Sequence, residues 1–192
     1  MTTHDLTFAA FVDESGSNRT EDPGTYILSA AILDHERLED VRDAMRGLIL
    51  PGQKKLHWRD EGDKRQLKIA TAVARLEVEH VVVVRSQAAD DRPERRRRAC
   101  MELLAYELDQ LGVGTVTLES RGKADDNRDR EVLNAYRRRG SVSTRLRMHH
   151  EPGPAEPLLW VPDAVCGAMV SHRTGDTTFW DLIRSRCSTH EI

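Results

Sequence analysis

The sequence has few of the residues that mark several common protein classes. It contains only three cysteines, Cys100, Cys166 and Cys187, with no CxxC spacing, so neither a zinc site nor a disulfide framework is indicated. No apolar run approaches the ~18 residues of a membrane span. The first residues, MTTHDL, do not form a secretory signal. We therefore expect reduced thiols, a cytoplasmic location and no membrane partner.

Several signature motifs are also missing. The chain contains no P-loop, no GxGxxG, no GxSxG and no HExxH. These patterns cradle phosphates, expose a nucleophilic serine or hold zinc. Their absence disfavours nucleotide-cofactor enzymes and serine hydrolases.

Neither sign of charge dominates, because 29 basic and 32 acidic residues give a net charge of −3. This balance does not predict non-specific binding to nucleic acid, although it is compatible with a local basic groove. The 192 residues are 39% hydrophobic and show no repeat or break in composition. A single domain over residues 1–192 is therefore predicted.

The chain is organised around one stretch, Leu6 to Gly16, which reads LTFAAFVDESG. Its continuous apolar run is typical of a strand buried on both faces, and Ser-Gly would end it. Because strand side chains alternate, Asp13 shares a face with Phe11, and Glu14 takes the other face. Asp13 thus lies at the end of a central strand, where it needs a cation or hydrogen bonds. An Asp that accepts hydrogen bonds in the following turn fits the same pattern.

Strands alternate with helices along the rest of the chain. Strands are predicted at residues 25–33, 80–84 and 115–120, with an edge strand at 145–150 and an edge strand or loop at 55–59. Helices are predicted near residues 35–48, 64–76, 93–111, 132–136, 158–172 and 178–186, and residues 121–131 are predicted as a polar loop. This order predicts an α/β fold whose mixed sheet is flanked by helices.

Three acids occupy places where such a sheet forms its sites. Asp13 and Glu119 each end a strand, and Asp163 begins the last long helix. Gly167, one turn further along, removes a side chain and would let this helix face approach the sheet. Taken singly, Glu119 also fits a surface strand end, and Asp163 fits a helix N-cap or first-turn acid.

Convergence of these carboxylates would predict a metal site. Three acids in a partly buried place repel one another unless a cation neutralises them. Mg²⁺ or Mn²⁺, with oxygen ligands, is the natural cation. These ions activate water and stabilise the charge that develops when a phosphodiester is hydrolysed.

Four features stand in order along the chain: the strand VDESG, the following strand, a later strand that ends in an acid, and LLWVPDAVCGA. Together they resemble the family called domain of unknown function 3800. The resemblance covers nearly the whole chain in order, and implies a ribonuclease-H-like fold with metal-dependent nuclease activity. Five positions match its motifs: Asp13, Glu14, His57, Glu119 and Asp163.

Three positions depart from the family pattern. Lys55 stands where an acid is expected, Trp160 replaces Gln and Pro162 replaces Ala. With the acid at 55 lost, the metal set would be Asp13, Glu119 and Asp163, or the site would be weakened.

The resemblance implies a catalytic set of Asp13, Glu14, His57, Glu119 and Asp163, with RNA or DNA as the partner and Mg²⁺ or Mn²⁺ as the metal. Glu14 and His57 would orient ligands or move protons, although a half-buried structural histidine is an equal alternative for His57. The competing hypothesis is a non-catalytic module that binds nucleic acid or protein. The Lys55 ammonium supports it, because an ammonium among the acids could replace a metal ion.

Arginine is concentrated in one predicted helix, where residues 95–98 are four consecutive arginines. Four in a row point around the whole helix, so at least one is expected to contact protein or a partner anion. Together with Arg137 to Arg139, Arg145 and Arg147, they could line a nucleic-acid backbone. A solvated charged face is the alternative.

Overall fold

β1 (Phe8–Gly16) lies in the interior of a six-stranded sheet. The computed structural model describes residues 8–18, 20–86 and 90–192, so the first two residues of the LTFAAFVDESG stretch lie outside it. The other strands are β2 (Tyr26–Asp34), β3 (Glu79–Arg85), β4 (Val113–Glu119), β5 (Arg147–Glu151) and β6 (Cys187–Glu191). The helices are α1 (Leu38–Arg46), α2 (Asp63–Arg75), α3 (Pro93–Gln110), α4 (Lys123–Arg138), α5 (Trp160–Arg173) and α6 (Trp180–Ile183).

The sheet is mixed, with the strand order β5-β4-β1-β2-β3-β6. β2 is antiparallel to both β1 and β3, whereas the β1–β4, β4–β5 and β3–β6 pairs are parallel. All strands except β2 therefore run in one direction. The carboxyl ends of β1, β4 and β5 meet at one edge, which we call the acid edge. The predicted α/β fold with a mixed sheet flanked by helices is confirmed.

Both sides of the sheet are covered, as the continuous apolar character of β1 predicts. Ala9 and Phe11 pack into a core formed with α1, α2, α5 and α6, a side that we call the α5 face. Ala10 and Val12 pack into the core formed with α3 and α4, which we call the α3 face. None of the helices in the described ranges is long and apolar enough to cross a membrane.

One local prediction was wrong, one open alternative is resolved and one strand was missed. Residues 121–131 are mostly helix, because α4 begins at Lys123 and its early polar residues are used in side-chain contacts rather than in a loop. Of the two alternatives for residues 55–59, the structure shows the loop, which leads into a short 3₁₀ turn at Trp58–Asp60. β6 was missed, because CSTHE is a largely exposed edge strand without an apolar pattern.

Candidate active site

Asp13 and Glu119 come from two neighbouring parallel strands. The register of β1 and β4 sets Val12 opposite Leu118, and one of the acids follows each of these residues directly. Both acids line a cavity of about 100 Å³ at the acid edge. The structure therefore brings two of the three predicted metal ligands together.

Asp163 reaches the same place from α5. It lies in the first turn of that helix and is 7% exposed. α5 lies against β1, where the Cys166 thiol donates a hydrogen bond to the backbone carbonyl of Asp13 at 3.5 Å. All three predicted metal ligands therefore lie on the α5 face of the acid edge.

Gly167 has a different role from the one expected. A Cβ at this position would lie 2.1–2.4 Å from three atoms of the Trp58 indole, so glycine makes room for that ring rather than for the sheet. The indole also packs edge-on against Phe179, with 5.1 Å between ring centroids. The close approach at Gly167 thus anchors the loop that carries His57.

His57 lies between two buried residues, Leu56 and Trp58, which hold it at the rim of the site. Its Nδ1 atom is 3.6 Å from Oδ2 of Asp163, and its side chain is 44% exposed. The backbone N–H of Trp58 donates to the same Asp163 oxygen at 2.8 Å. One loop therefore supplies both the hydrogen bond that orients Asp163 and an imidazole beside it.

Lys55 also points into this group of acids. Its ammonium forms an ion pair with Oε2 of Glu119, and the two side chains are 18% and 27% exposed. Gly153, on the loop after β5, covers the pair, because a Cβ there would lie 2.3 Å from Oε1 of Glu119. The residue that departs from the family pattern is thus a direct neighbour of the predicted metal ligands.

The electrostatics of the site follow from these neighbours. Burial, reinforced by the Asp163 and Glu119 carboxylates, raises the pKa of Asp13 well above its ordinary value, although Lys55 and His57 oppose the shift. The Asp163 carboxylate raises the pKa of His57, against the opposing effect of burial. The two shifts have different main causes, burial for Asp13 and the neighbouring Asp163 carboxylate for His57.

The donor set suits a hard divalent ion, since Mg²⁺ and Mn²⁺ prefer carboxylate oxygens. Even so, no three Asp, Glu, His or Cys side chains within the described ranges are arranged to hold a metal ion. The Glu119 carboxylate is paired with the Lys55 ammonium, and Oδ2 of Asp163 accepts a hydrogen bond from the Trp58 N–H. A metal ion at this edge would therefore compete with Lys55 for Glu119.

Glu14 lines the same cavity as Asp13 and Glu119 but has different partners. It lies on the α3 face, as the alternation of β1 predicts, where it accepts a hydrogen bond from the Tyr26 hydroxyl at 2.6 Å and pairs with Arg97. Arg97 is buried and makes a second pair with Asp129, at 2.8 Å from Nη2 to Oδ2. His150 Nε2 lies 3.2 Å from that same oxygen.

Sequence reasoning missed most of this α3-face network. It predicted that at least one residue of the arginine run contacts protein or a partner anion, and Arg97 contacts protein. Asp129 fell within the predicted polar loop. Burial alone would raise the pKa of Asp129, but hydrogen bonds from His150 and Arg97 lower it to about 2. The sequence did contain one signal for this network. Glu14 lies at the end of β1 and faces the α3 side, where a carboxylate needs a buried cation.

Two of the remaining arginines lie away from the acid edge. Arg147 begins β5 opposite Thr115, whereas the acid edge is where Glu119 pairs with Glu151. Arg137 lies in the last turn of α4 and donates to the Leu146 carbonyl. The lining of a nucleic-acid backbone by the arginines stays a prediction.

Two comparisons found no match: no protein-family model fits the chain, and no curated protein is significantly similar to it. Solved structures do match. Two structures of Bst-RNase HIII, one of them in complex with Mn²⁺, superpose with a TM-score of 0.56 at 17% and 15% identity. They match 88% and 89% of this chain but 53% and 54% of their own, so the chain spans about half their length.

Two further structures agree with this result. Ribonuclease H2 from Pyrococcus horikoshii OT3 has a TM-score of 0.54 at 16% identity, over 86% of this chain and 73% of its own. RNase HII from Archaeoglobus fulgidus, in complex with PCNA, has a TM-score of 0.53 at 14% identity, over 93% and 87%. Identities this low show the fold alone, and the fold is ribonuclease-H-like.

Proposed function

We propose that this protein is a metal-dependent nuclease, which hydrolyses phosphodiester bonds in RNA or DNA with Mg²⁺ or Mn²⁺. One observation carries the proposal: Asp13, Glu119 and Asp163 converge at one edge of a ribonuclease-H-like sheet. The raised pKa of Asp13 supports it, because such a site gains stability from a bound cation. The resemblance to domain of unknown function 3800 points to the same activity, and we propose membership of that family.

The bound ion would polarise a water molecule and stabilise charge on the phosphate, with Asp13 and Asp163 as its ligands. The Trp58 N–H keeps Asp163 in place for this role. His57, which lies beside Asp163 at the rim of the site, would donate a proton to the leaving oxygen. In the balanced reaction, a water oxygen bonds to phosphorus, the phosphodiester P–O bond breaks and the water proton goes to solvent.

A groove of about 460 Å³ begins at Asp163 and His57 and runs between the end of β1 and α5. Ser15, Gln66 and Ser171 lie along it, so its lining offers hydroxyl and amide groups. These groups hydrogen-bond to phosphate and sugar oxygens, which make up much of any nucleic-acid contact. We propose that the strand next to the scissile bond lies in this groove.

The test is Mn²⁺ titration by isothermal calorimetry, with thermal unfolding in parallel. Wild type should bind Mn²⁺ and gain about 2.7 kcal/mol of stability at a Mn²⁺ concentration of 100 Kd. Asp13→Ala and Asp163→Ala should lose both effects, whereas the exposed-acid control Asp43→Ala should keep them. Labelled single strands, duplexes and hybrids are then screened for cleavage. A folded wild type that binds no Mn²⁺, with or without nucleic acid, would contradict the proposal.

A second candidate function is favoured by one observation, the ion pair of Lys55 with Glu119. An ammonium inside the acidic site would let the same scaffold bind nucleic acid or a protein partner without catalysis. In that case wild type gains no stability from Mn²⁺, and nucleic-acid affinity measured by fluorescence anisotropy is the same in EDTA as in Mn²⁺.

We also propose a cytoplasmic location, since all three cysteines are unpaired thiols, as expected in a reducing compartment.

A further inference from the structure

Lys55 is placed as part of a built site rather than as a surface residue. Its side chain is 18% exposed and its ammonium is paired with Glu119. The next residue, Leu56, is fully buried and fixes the backbone from which Lys55 extends. By contrast, the preceding Lys54 is exposed. Of two adjacent lysines, one is therefore directed into the acids and the other into solvent.

The backbone encloses the ion pair from the other side. A Cβ on Gly153 would lie 2.3 Å from Oε1 of Glu119 and 2.9 Å from Nζ of Lys55, so only glycine leaves room for both groups. The Gly153 carbonyl accepts a hydrogen bond from Nε1 of Trp160 at 2.8 Å, and Trp160 is buried. The ammonium thus has a fixed place, defined by three separate segments of the chain.

The Lys55–Glu119 pair leaves fewer carboxylates for metal ions at this edge. Two-metal phosphodiesterase sites hold their ions about 3.5–4 Å apart and need bridging and flanking carboxylates. Here Lys55 holds Glu119, which leaves Asp13 and Asp163 as ligands. An ammonium has three N–H donors, so Lys55 keeps two after it binds Glu119. Those two donors can hydrogen-bond to phosphate oxygens.

We propose that Lys55 is a catalytic residue that supplies the second positive charge of the site. The protein then binds a single Mg²⁺ or Mn²⁺ through Asp13 and Asp163, and the Lys55 ammonium contacts an oxygen of the scissile phosphate. This inference rests on the proposed nuclease function. It also gives the departure at position 55 a chemical purpose, because lysine replaces a metal ligand and the ion that the ligand would hold.

The experiment counts bound Mn²⁺ ions in wild type, Lys55→Glu, Lys55→Met and the matched control Lys54→Met. Calorimetry gives the stoichiometry, and electron paramagnetic resonance detects coupling between neighbouring Mn²⁺ ions. We expect one uncoupled ion in wild type and in Lys54→Met, and two coupled ions in Lys55→Glu. Lys55→Met should bind its ion about tenfold more tightly, since a nearby positive charge is removed. It should also cleave roughly 100-fold more slowly at saturating Mn²⁺, the usual scale for losing one charge-stabilising donor.

The outcomes separate this inference from the proposed function. Two coupled ions in wild type would overturn the role of Lys55 and leave the nuclease proposal standing. A single ion in Lys55→Glu, or cleavage by Lys55→Met at the wild-type rate, would also overturn it. No Mn²⁺ binding by any variant would overturn both proposals. Thermal unfolding without metal shows whether each variant is folded, and Lys55→Met provides the test if Lys55→Glu does not fold.

Discussion

Asp13 and Glu14 are consecutive residues with opposite surroundings. Asp13 faces the α5 side, where its nearest charged neighbours include two more carboxylates. Glu14 faces the α3 side, where it is paired with Arg97 and hydrogen-bonded to Tyr26. The alternation of a single strand thus separates an acid that lies among other carboxylates from one that is paired with a buried arginine.

The difference separates a candidate functional acid from a structural one. On the α3 face, hydrogen bonds from His150 and Arg97 lower the pKa of Asp129 to about 2, so its charge stabilises the fold. On the α5 face, the pKa of Asp13 is raised, so its charge costs stability. Such a cost is the usual mark of a binding or catalytic site, where an external partner completes the electrostatics.

The largest expected effect comes from breaking the α3-face network. Arg97→Met leaves Glu14 and Asp129 without their buried cation, and should lower the free energy of unfolding by about 3–5 kcal/mol. Urea unfolding measures this loss. Arg98→Met, at an exposed neighbouring position, should change stability by less than about 0.5 kcal/mol. If Arg97→Met does not fold, Arg97→Lys should fold with a smaller loss. Equal effects at 97 and 98 would disprove a structural network.

A smaller effect of opposite sign is expected on the α5 face. Asp13→Asn removes one of three like charges and should raise the melting temperature of the metal-free protein by about 2–4 °C, the shift that ~1 kcal/mol gives at this size. The raised pKa of Asp13 means that its ionisation costs stability as the pH rises above the ordinary pKa of an aspartate. The gain in melting temperature should therefore vanish at acid pH.

Asp129→Asn should instead lose stability at neutral pH, with the loss disappearing as the pH falls towards 2. Thermal unfolding across pH compares the two, and a destabilised Asp13→Asn would contradict the contrast.

The smallest expected effect concerns His57. Because its pKa is raised in the folded protein, its contribution to stability is present below about pH 6.5 and is lost as the pH rises through the folded value. The contribution should not exceed about 0.5 kcal/mol, since the side chain is 44% exposed and solvent screens the pair. Wild type and His57→Gln should therefore differ at pH 6 and converge at pH 9. A difference that grows with pH would show that the imidazole is not stabilised by Asp163.

Local signals in the sequence were enough to place the three acids. The apolar runs that precede Asp13 and Glu119 mark buried strands, and the acids end them. Asp163 stands at the start of an apolar helix, where first-turn acids are common. Each of these patterns spans fewer than about ten residues, so each can be recognised without knowing the tertiary structure. The meeting of Asp13 and Glu119 then follows from the parallel pairing of β1 and β4, and Asp163 joins them because α5 packs against β1.

The partners of those acids could not be found in the same way. The hydrogen bond from Trp58 to Asp163 joins residues 105 positions apart, and the Arg97–Asp129 pair joins residues 32 apart. Gly153 shows the problem most clearly, because its lack of a side chain matters only beside Lys55 and Glu119. β6 was missed for a related reason, since its place depends on pairing with β3 and not on its own composition.

The position of α5 in the chain has a consequence for synthesis. Cys166 of α5 and Asp13 of β1 are in contact but are 153 residues apart. At the ribosome's rate of about 5–20 residues per second, Asp13 is made roughly 8–30 s before α5. While residues 120–162 are being made, a growing chain therefore carries Asp13 and Glu119 but no Asp163. For the proposed nuclease, this order leaves the site incomplete until α5 has been added.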